Sequence, residues 1–313
     1  MKVLITGVAG YIGTTLLTKI MNETDWEVLG VDRLFYGGGA LIPFISNPRF
    51  SFVKGDVRDE KVIKEAVSGC DSIVHLAAIV GFPACERDQK LSHDINAEAT
   101  LNLAKAVPVD VPLLYGSTGS NYGSVDGLCT EETPLNPLTT YAKTKALGEK
   151  YVLNHPSGIA FRFATAFGVS PRMRFDLLVN DFARKLFFDS YLVVYESDFM
   201  RTFIHVEDIA SSFIYALNNI EKFKANVFNV GDNKMNYSKK QICEMVREKI
   251  GGFVHYADFG SDGDKRNYIV DYAKLNSTGF VCSKTMNYGI NGILEVLPLI
   301  QRSDPFNNAD MLR

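Results

Sequence analysis

Residues 2–13 read KVLITGVAGYIG. A short apolar, β-branched run, KVLIT, leads straight into glycines at positions 7, 10 and 13, and the helical pattern YIGTTLLTKIMNE follows. Strand, glycine turn and helix in this order have a mechanical reading. Glycine lets the chain turn tightly, lets backbone N–H groups approach a pyrophosphate, and lets the helix pack close to the sheet. Gly7, Gly10 and Gly13, with Tyr11 and Ile12 between them, are therefore expected to hold a dinucleotide.

Outward from this unit the pattern repeats. Apolar runs at 26–32, 49–56, 71–78, 111–118 and 158–168 read as strands buried on both faces. Between them lie the helical patterns DEKVIKEAVSG, HDINAEATLNLAKAV and TYAKTKALGEKYVLN. Alternating β and α units predict an α/β fold, a Rossmann-type doubly wound parallel sheet with helices on both sides. The second half is less regular. Helical stretches are expected near 176–188, 207–220, 238–250 and 287–301, with short strands at YLVVYE, NVFNVG and FVHYAD. No linker or repeat marks a boundary, which is read as soft, near 168–175.

The second strand ends at Asp32, nineteen residues after Gly13, where a carboxylate would accept hydrogen bonds from ribose hydroxyls. An acid there repels a 2′-phosphate and favours NAD over NADP, although the adjacent Arg33 is a residue type that holds such a phosphate. Asp56 and Val57, after the third strand, are expected near the adenine. Leu76, Ala77 and Ala78 give small or apolar side chains at the end of the fourth.

Bulk properties narrow the class. The 313 residues are 46% hydrophobic and 22% charged with a net charge of −3, an ordinary globular balance. Neither a nucleic-acid surface nor an anionic-membrane surface is expected from that charge. The five cysteines are scattered without a CxxC pair, so no metal site or disulfide framework is indicated. The first apolar run is too short for a signal peptide or a membrane span, and a cytoplasmic location is the expectation.

One pair remains. In TYAKTK, Tyr141 and Lys145 stand four apart, a spacing that by itself fits any exposed helix face. The surrounding motifs decide between readings. The glycine turn, GDV at 55–57, HLAA at 75–78, the helix containing Asn96, GST…YG at 116–123, Tyr141…Lys145 and RTFIHVEDIA at 201–210 together resemble the extended short-chain dehydrogenase/reductases that act as nucleotide-sugar epimerases and dehydratases. The resemblance covers nearly the whole chain.

That resemblance implies an NAD-binding Rossmann domain over 1–170, joined by elements near 203–231, and a nucleotide-sugar-binding domain over 171–313. It implies a cleft between them and a homodimer formed through helices near 92–107 and 139–154. Tyr141 would exchange a proton with a sugar hydroxyl while hydride moves to or from the nicotinamide. A free phenol ionises at about 10; a lysine ammonium one helical turn away favours the phenolate. Lys145 would also hold the nicotinamide ribose, Thr118 would hydrogen-bond the reacting oxygen, and Asn96 would position backbone. For the sugar nucleotide's diphosphate, Arg172, Arg174, Arg201 and Arg266 are candidates, because a guanidinium fork matches phosphate oxygens. Asn180 is a further candidate, and His205 reads as a structural histidine joining the domains.

Three departures bear on the reaction. Many 4-epimerases carry Asn where this chain has Thr165. Where 4,6-dehydratases carry Asp-Glu after the catalytic threonine, this chain has Gly119-Ser120. The segments AAIVGFPAC and SPRMRFDLLVNDF resemble enzymes that oxidise the 4-hydroxyl of a nucleotide-heptose. The expected activity is NAD-dependent oxidation at a sugar 4-hydroxyl, as a 4-epimerase, or alternatively as a net nucleotide-sugar 4-dehydrogenase such as one for GDP-heptose. A 4,6-dehydratase or a non-catalytic NAD-binding protein ranks lower.

Overall fold

Seven parallel strands carry the site: β1 (Lys2–Thr6), β2 (Glu27–Asp32), β3 (Phe50–Lys54), β4 (Ser72–His75), β5 (Leu113–Thr118), β6 (Gly158–Phe163) and β7 (Asn226–Val230). They lie in the order β7-β6-β5-β4-β1-β2-β3. The structure is a computed structural model that describes residues 1–258, 267–303, 306 and 308. Because the order runs outward in both directions from β1 and β4, a crevice opens at the carboxyl ends of these two strands, the place where doubly wound sheets bind ligands.

Period-two alternation sends neighbouring side chains of β1 to opposite faces. Val3 and Ile5 join Leu16, Leu17, Phe161 and Phe213 in one core, whereas Leu4 joins Ile73, Leu103, Leu113 and Val152 in the other. Helix α1 (Tyr11–Glu23) lies on the first face. Helix α2 (Thr140–Leu153) lies on the second, beside the helical segments Gln89–His93 and Ala99–Ala106. These two segments are joined by a π-helical turn, Asp94–Glu98. A third core, including Val179, Leu186, Phe203, Ile242 and Ile290, belongs mostly to the second half of the chain. Helix α3 (Leu178–Asp189) stands there, whereas α4 (Val206–Asn218) sends Ile209 and Phe213 into the first core and packs against α1.

One expectation changes. The run GIAFRFATAFG is not one strand. It leaves the main sheet after Phe163, and Thr165–Phe167 pairs with Phe203–His205 in a separate three-stranded sheet. The run is rich in apolar residues on both sides of Phe163, so its composition does not show where it changes sheet. NVFNVG, a short strand of the second half within the elements near 203–231 expected to join the Rossmann domain, is β7, the edge of the main sheet.

Candidate active site

The carboxyl ends of the central strands open on a cleft of about 700 Å³. At one end lies the glycine turn. Gly7 has φ +75°, and a Cβ there would stand 2.7 Å from the Ala77 nitrogen; at Gly13 a Cβ would stand 2.2 Å from the Gly7 carbonyl oxygen. Neither position tolerates a side chain without moving backbone. Helix α1 starts at Gly10 with no side-chain cap and no acid in its first turn. Its first N–H groups and the positive end of its dipole are therefore suited to an anion.

Asp32 secures this turn. One carboxylate oxygen accepts from Ala9 N–H at 3.0 Å, and the other accepts from Leu34 N–H at 2.7 Å. Burial raises its pKa, and the two backbone bonds oppose that rise. Arg33 turns instead to Asp56, with Nη1 3.3 Å from a carboxylate oxygen, and covers the Phe35 ring at 5.1 Å. Tyr11, Ile12, Asp56, Val57, Leu76, Ala77 and Ala78 all line the same cleft. An uncapped helix start, a cradle closed to any Cβ and a carboxylate at the end of β2 fit a dinucleotide.

Asn96 stands behind the cleft, fully buried in the π-helical turn. Its Oδ1 accepts from Ile79 N–H at 2.8 Å, while its Nδ2 donates to Ile79 O at 2.9 Å and to Thr144 Oγ1 at 3.1 Å. It fastens the loop after β4 to α2.

The tyrosine and lysine sit on α2, whose start is capped by Thr139 Oγ1 accepting from Ala142 N–H at 3.2 Å. The cap sets Tyr141 in the first turn, where the helix dipole favours a negative phenolate. The inward face of α2 carries Lys145 and Glu149, each only 2% exposed. An ordinary surface helix would bury neither. Burial brings the Lys145 ammonium down to about 7, against the opposing pull of Glu149. Glu149 is held by Arg162 (2.7 Å) and by Ser117 Oγ, which donates at 2.6 Å. Thr118, at the end of β5, accepts from Ser120 N–H at 3.1 Å and donates to Ser120 Oγ at 3.0 Å. Thr118, Tyr141 and Lys145 line the one cleft together.

Thr165, Arg172, Arg174 and Arg201 also line the cleft. Arg174 makes a two-pronged pair with Asp176, at 3.1 and 2.6 Å. Thr165 Oγ1 is buried without a hydrogen-bond partner. Asn180 is fully buried and does not line the cleft. Its Oδ1 accepts from Gly168 N–H at 3.1 Å and its Nδ2 donates to Arg174 O at 2.8 Å, so it shapes the 168–174 segment. Arg266 lies outside the described residues. His205 caps α4, its Nδ1 accepting from Glu207 N–H at 3.3 Å, and burial lowers its pKa to about 4.

Tyr36, Asp176, Lys239 and the Asp181–Lys185 pair also line the cleft, and the sequence reading did not single them out. For Tyr36 a signal was available: it follows the strand-end Asp32 by four residues and precedes three glycines. Asp176 and Asp181 fall within SPRMRFDLLVNDF, of which the reading singled out only the arginines and Asn180; Lys185 and Lys239 come from the less regular half, where no motif marks them.

Comparison with known proteins agrees with this geometry. Residues 3–231 match the NAD dependent epimerase/dehydratase family. A low-salt glycan biosynthesis protein of Haloferax volcanii is 30% identical over 295 residues, spanning 90% of this chain and 93% of that protein. A UDP-glucose 4-epimerase of Lactobacillus helveticus is 27% identical, spanning 88% and 90%. The solved UDP-glucuronic acid 4-epimerase of Bacillus cereus, in complex with UDP-glucuronic acid and NAD, shares the fold with a TM-score of 0.86 at 22% identity, covering 96% of this chain and 99% of that one. With its glycine turn, its strand-end acid and nearly three-quarters of its length matched, the chain belongs to the NAD-dependent epimerase/dehydratase family.

Proposed function

We propose that the protein is an NAD-dependent epimerase acting at the 4-hydroxyl of a nucleotide-activated sugar. One observation carries this reading: Thr118, Tyr141 and Lys145 line the same cleft as the glycine turn, while the residue after Thr118 is a glycine. The turn through Gly7, Gly10 and Gly13 and the Asp32 carboxylate would hold NAD, which would supply a reversible hydride acceptor for the sugar 4-carbon.

The chain's own residues do the rest. Tyr141 removes the 4-hydroxyl proton as the carbon is oxidised and returns it as the carbon is reduced. The α2 amino terminus and the Lys145 ammonium favour the phenolate this requires. Thr118 hydrogen-bonds the reacting oxygen. Thr165, Arg172, Arg174 and Arg201 are the substrate-side candidates in the cleft, residues 171–313 contributing most of the sugar-nucleotide domain. Two copies associate through helices near 92–107 and 139–154.

Relatives include UDP-glucose 4-epimerases and a dTDP-glucose 4,6-dehydratase, so the choice of reaction rests on residues. Eliminating water across carbons 5 and 6 needs a base and an acid beside the catalytic threonine. Gly119 has no side chain, and Ser120 Oγ receives the Thr118 hydroxyl. A hydroxyl is a poor acid at neutral pH.

The test is incubation with UDP- and GDP-hexoses and GDP-heptose, with products identified by NMR. A 4-epimer formed without net NADH is the expected result. Stoichiometric NADH with a 4-keto product would instead identify a net 4-dehydrogenase, and a 4-keto-6-deoxy product would overturn both.

A further inference from the structure

The segment 168–174 runs across the start of α1. Tyr11 Oη donates to Gly168 O at 2.7 Å. Ser170 Oγ donates to Tyr11 O at 2.7 Å, lies 3.1 Å from Thr14 Oγ1, and accepts from Arg172 N–H at 3.3 Å. Asn180 braces the same segment from behind, at Gly168 and Arg174. These anchors seat Arg172 over the loop that follows β2. Its guanidinium carbon lies 4.5 Å from the centroid of the Tyr36 ring.

Arg172 is 6% exposed, and its Nη2 is buried with no hydrogen-bond partner; Tyr36 Oη is likewise buried and unpartnered. Both residues line the cleft. Two acids stand near, but their oxygens are already engaged: Asp32 with the Ala9 and Leu34 N–H groups, Asp176 with Arg174. Burial, with the Arg174 charge beside it, lowers the Arg172 pKa to about 10. A buried cation with an unmet donor is costly until an anion meets it. The uncapped amino terminus of α1, to which this segment is tied through Tyr11 and Ser170, is a second anion-seeking feature of the same cleft.

We propose that Arg172 and Tyr36 form a clasp that donates hydrogen bonds to the diphosphate of the bound dinucleotide, together with the α1 amino terminus, and retains the cofactor through turnover. This reassigns Arg172 from the sugar nucleotide to the cofactor, and it rests on the NAD-dependent reading above. Retention suits that reading chemically. An epimerase returns the electrons to the same sugar, so its cofactor never has to leave. A net dehydrogenase must exchange NADH for NAD after every turnover, and a clasp anchored on α1 by Tyr11 and Ser170 would slow it.

The experiment follows NADH release by fluorescence in stopped flow, together with titrations of NADH, UDP and GDP, for the wild type, Arg172→Gln, Arg172→Lys and Tyr36→Phe. Thermal melts accompany each variant. Arg172→Gln should release NADH at least tenfold faster and bind UDP and GDP within twofold of the wild type. Arg172→Lys keeps the charge without the fork and should fall between. Tyr36→Phe keeps the stacked ring, loses the hydroxyl, and should release NADH about threefold faster. If Arg172→Gln does not fold, the other two variants decide the matter. NADH release unchanged across the folded variants overturns the clasp, as does weakened UDP or GDP binding with NADH release unchanged. A wild type that binds no NADH would overturn the NAD-dependent reading itself, whereas tight wild-type binding with unaltered variants removes only the clasp.

Discussion

Lys145 Nζ stands 3.9 Å from the centroid of the Tyr115 ring, and the same ring stacks on His75 at 5.7 Å with an interplanar angle of 27°. The lysine is therefore cushioned on an aromatic face inside the protein. A cation over a ring gains about 0.5–2 kcal/mol, which offsets part of the burial that brings this ammonium down to about 7. Tyr115→Leu should push it lower still, by up to about one unit. Under the proposed mechanism the ammonium is the working form, so the alkaline fall in kcat/KM should move to lower pH. Tyr115→Phe retains the ring face and should retain the profile. The measurement is the pH dependence of kcat/KM for both variants, and an unmoved alkaline limb in Tyr115→Leu would remove the ring from the argument.

Tyr141→Phe should leave folding and NADH binding close to wild type and lower turnover at least about a hundredfold, the lower end for general acid–base catalysis. The phenyl ring keeps the packing on α2 and loses only the proton carrier. Thr118→Val should act in the same direction more weakly. Steady-state turnover beside a thermal melt checks this, and near-normal turnover in Tyr141→Phe would falsify its assigned role.

Asp32→Ala should weaken NAD binding by about 1–3 kcal/mol, from lost charge-assisted hydrogen bonds. The same change releases the Ala9 and Leu34 N–H groups that the carboxylate now accepts from. The wild type should prefer NAD(H) to NADP(H), since Arg33 is drawn to Asp56. Parallel titrations with the two cofactors decide; equal or tighter NADP(H) binding would make Arg33 the controlling residue.

Acid should destabilise the fold in a defined window. His75 is fully buried between Thr6 Oγ1 at 2.6 Å and Thr100 Oγ1 at 3.0 Å, and burial drops its pKa from 6.5 to about 3. Between these values the unfolded chain binds a proton that the folded chain refuses. The stability of the neutral form is thus complete above 6.5 and is lost as pH falls toward 3, by at most about 1.4 kcal/mol per pH unit for one such group. His205, lowered to about 4, adds to the same slope. Urea midpoints measured from pH 7.5 to 4.5 should fall, and His75→Asn, less stable at neutral pH, should show a shallower decline. A parallel decline in the variant would mean that other groups set the acid limit.

Local order along the chain was enough for the fold of the first half and for the residues proposed to hold the cofactor. The turn through Gly7, Gly10 and Gly13, the acid at the end of β2 and the four-residue spacing of Tyr141 and Lys145 are contiguous features, and strand and helix periods are written residue by residue. Packing decided the rest. The break after Phe163, the return of Asn226–Val230 to the main sheet, the depth of Lys145 on Tyr115, the internal work of Asn180 and the stacking of Arg172 on Tyr36 each join residues distant in sequence. The hydrophobic effect is non-directional: an apolar run declares that it will be buried, and an arginine that it needs a partner, but which surface or which anion meets them is set only when the chain has folded.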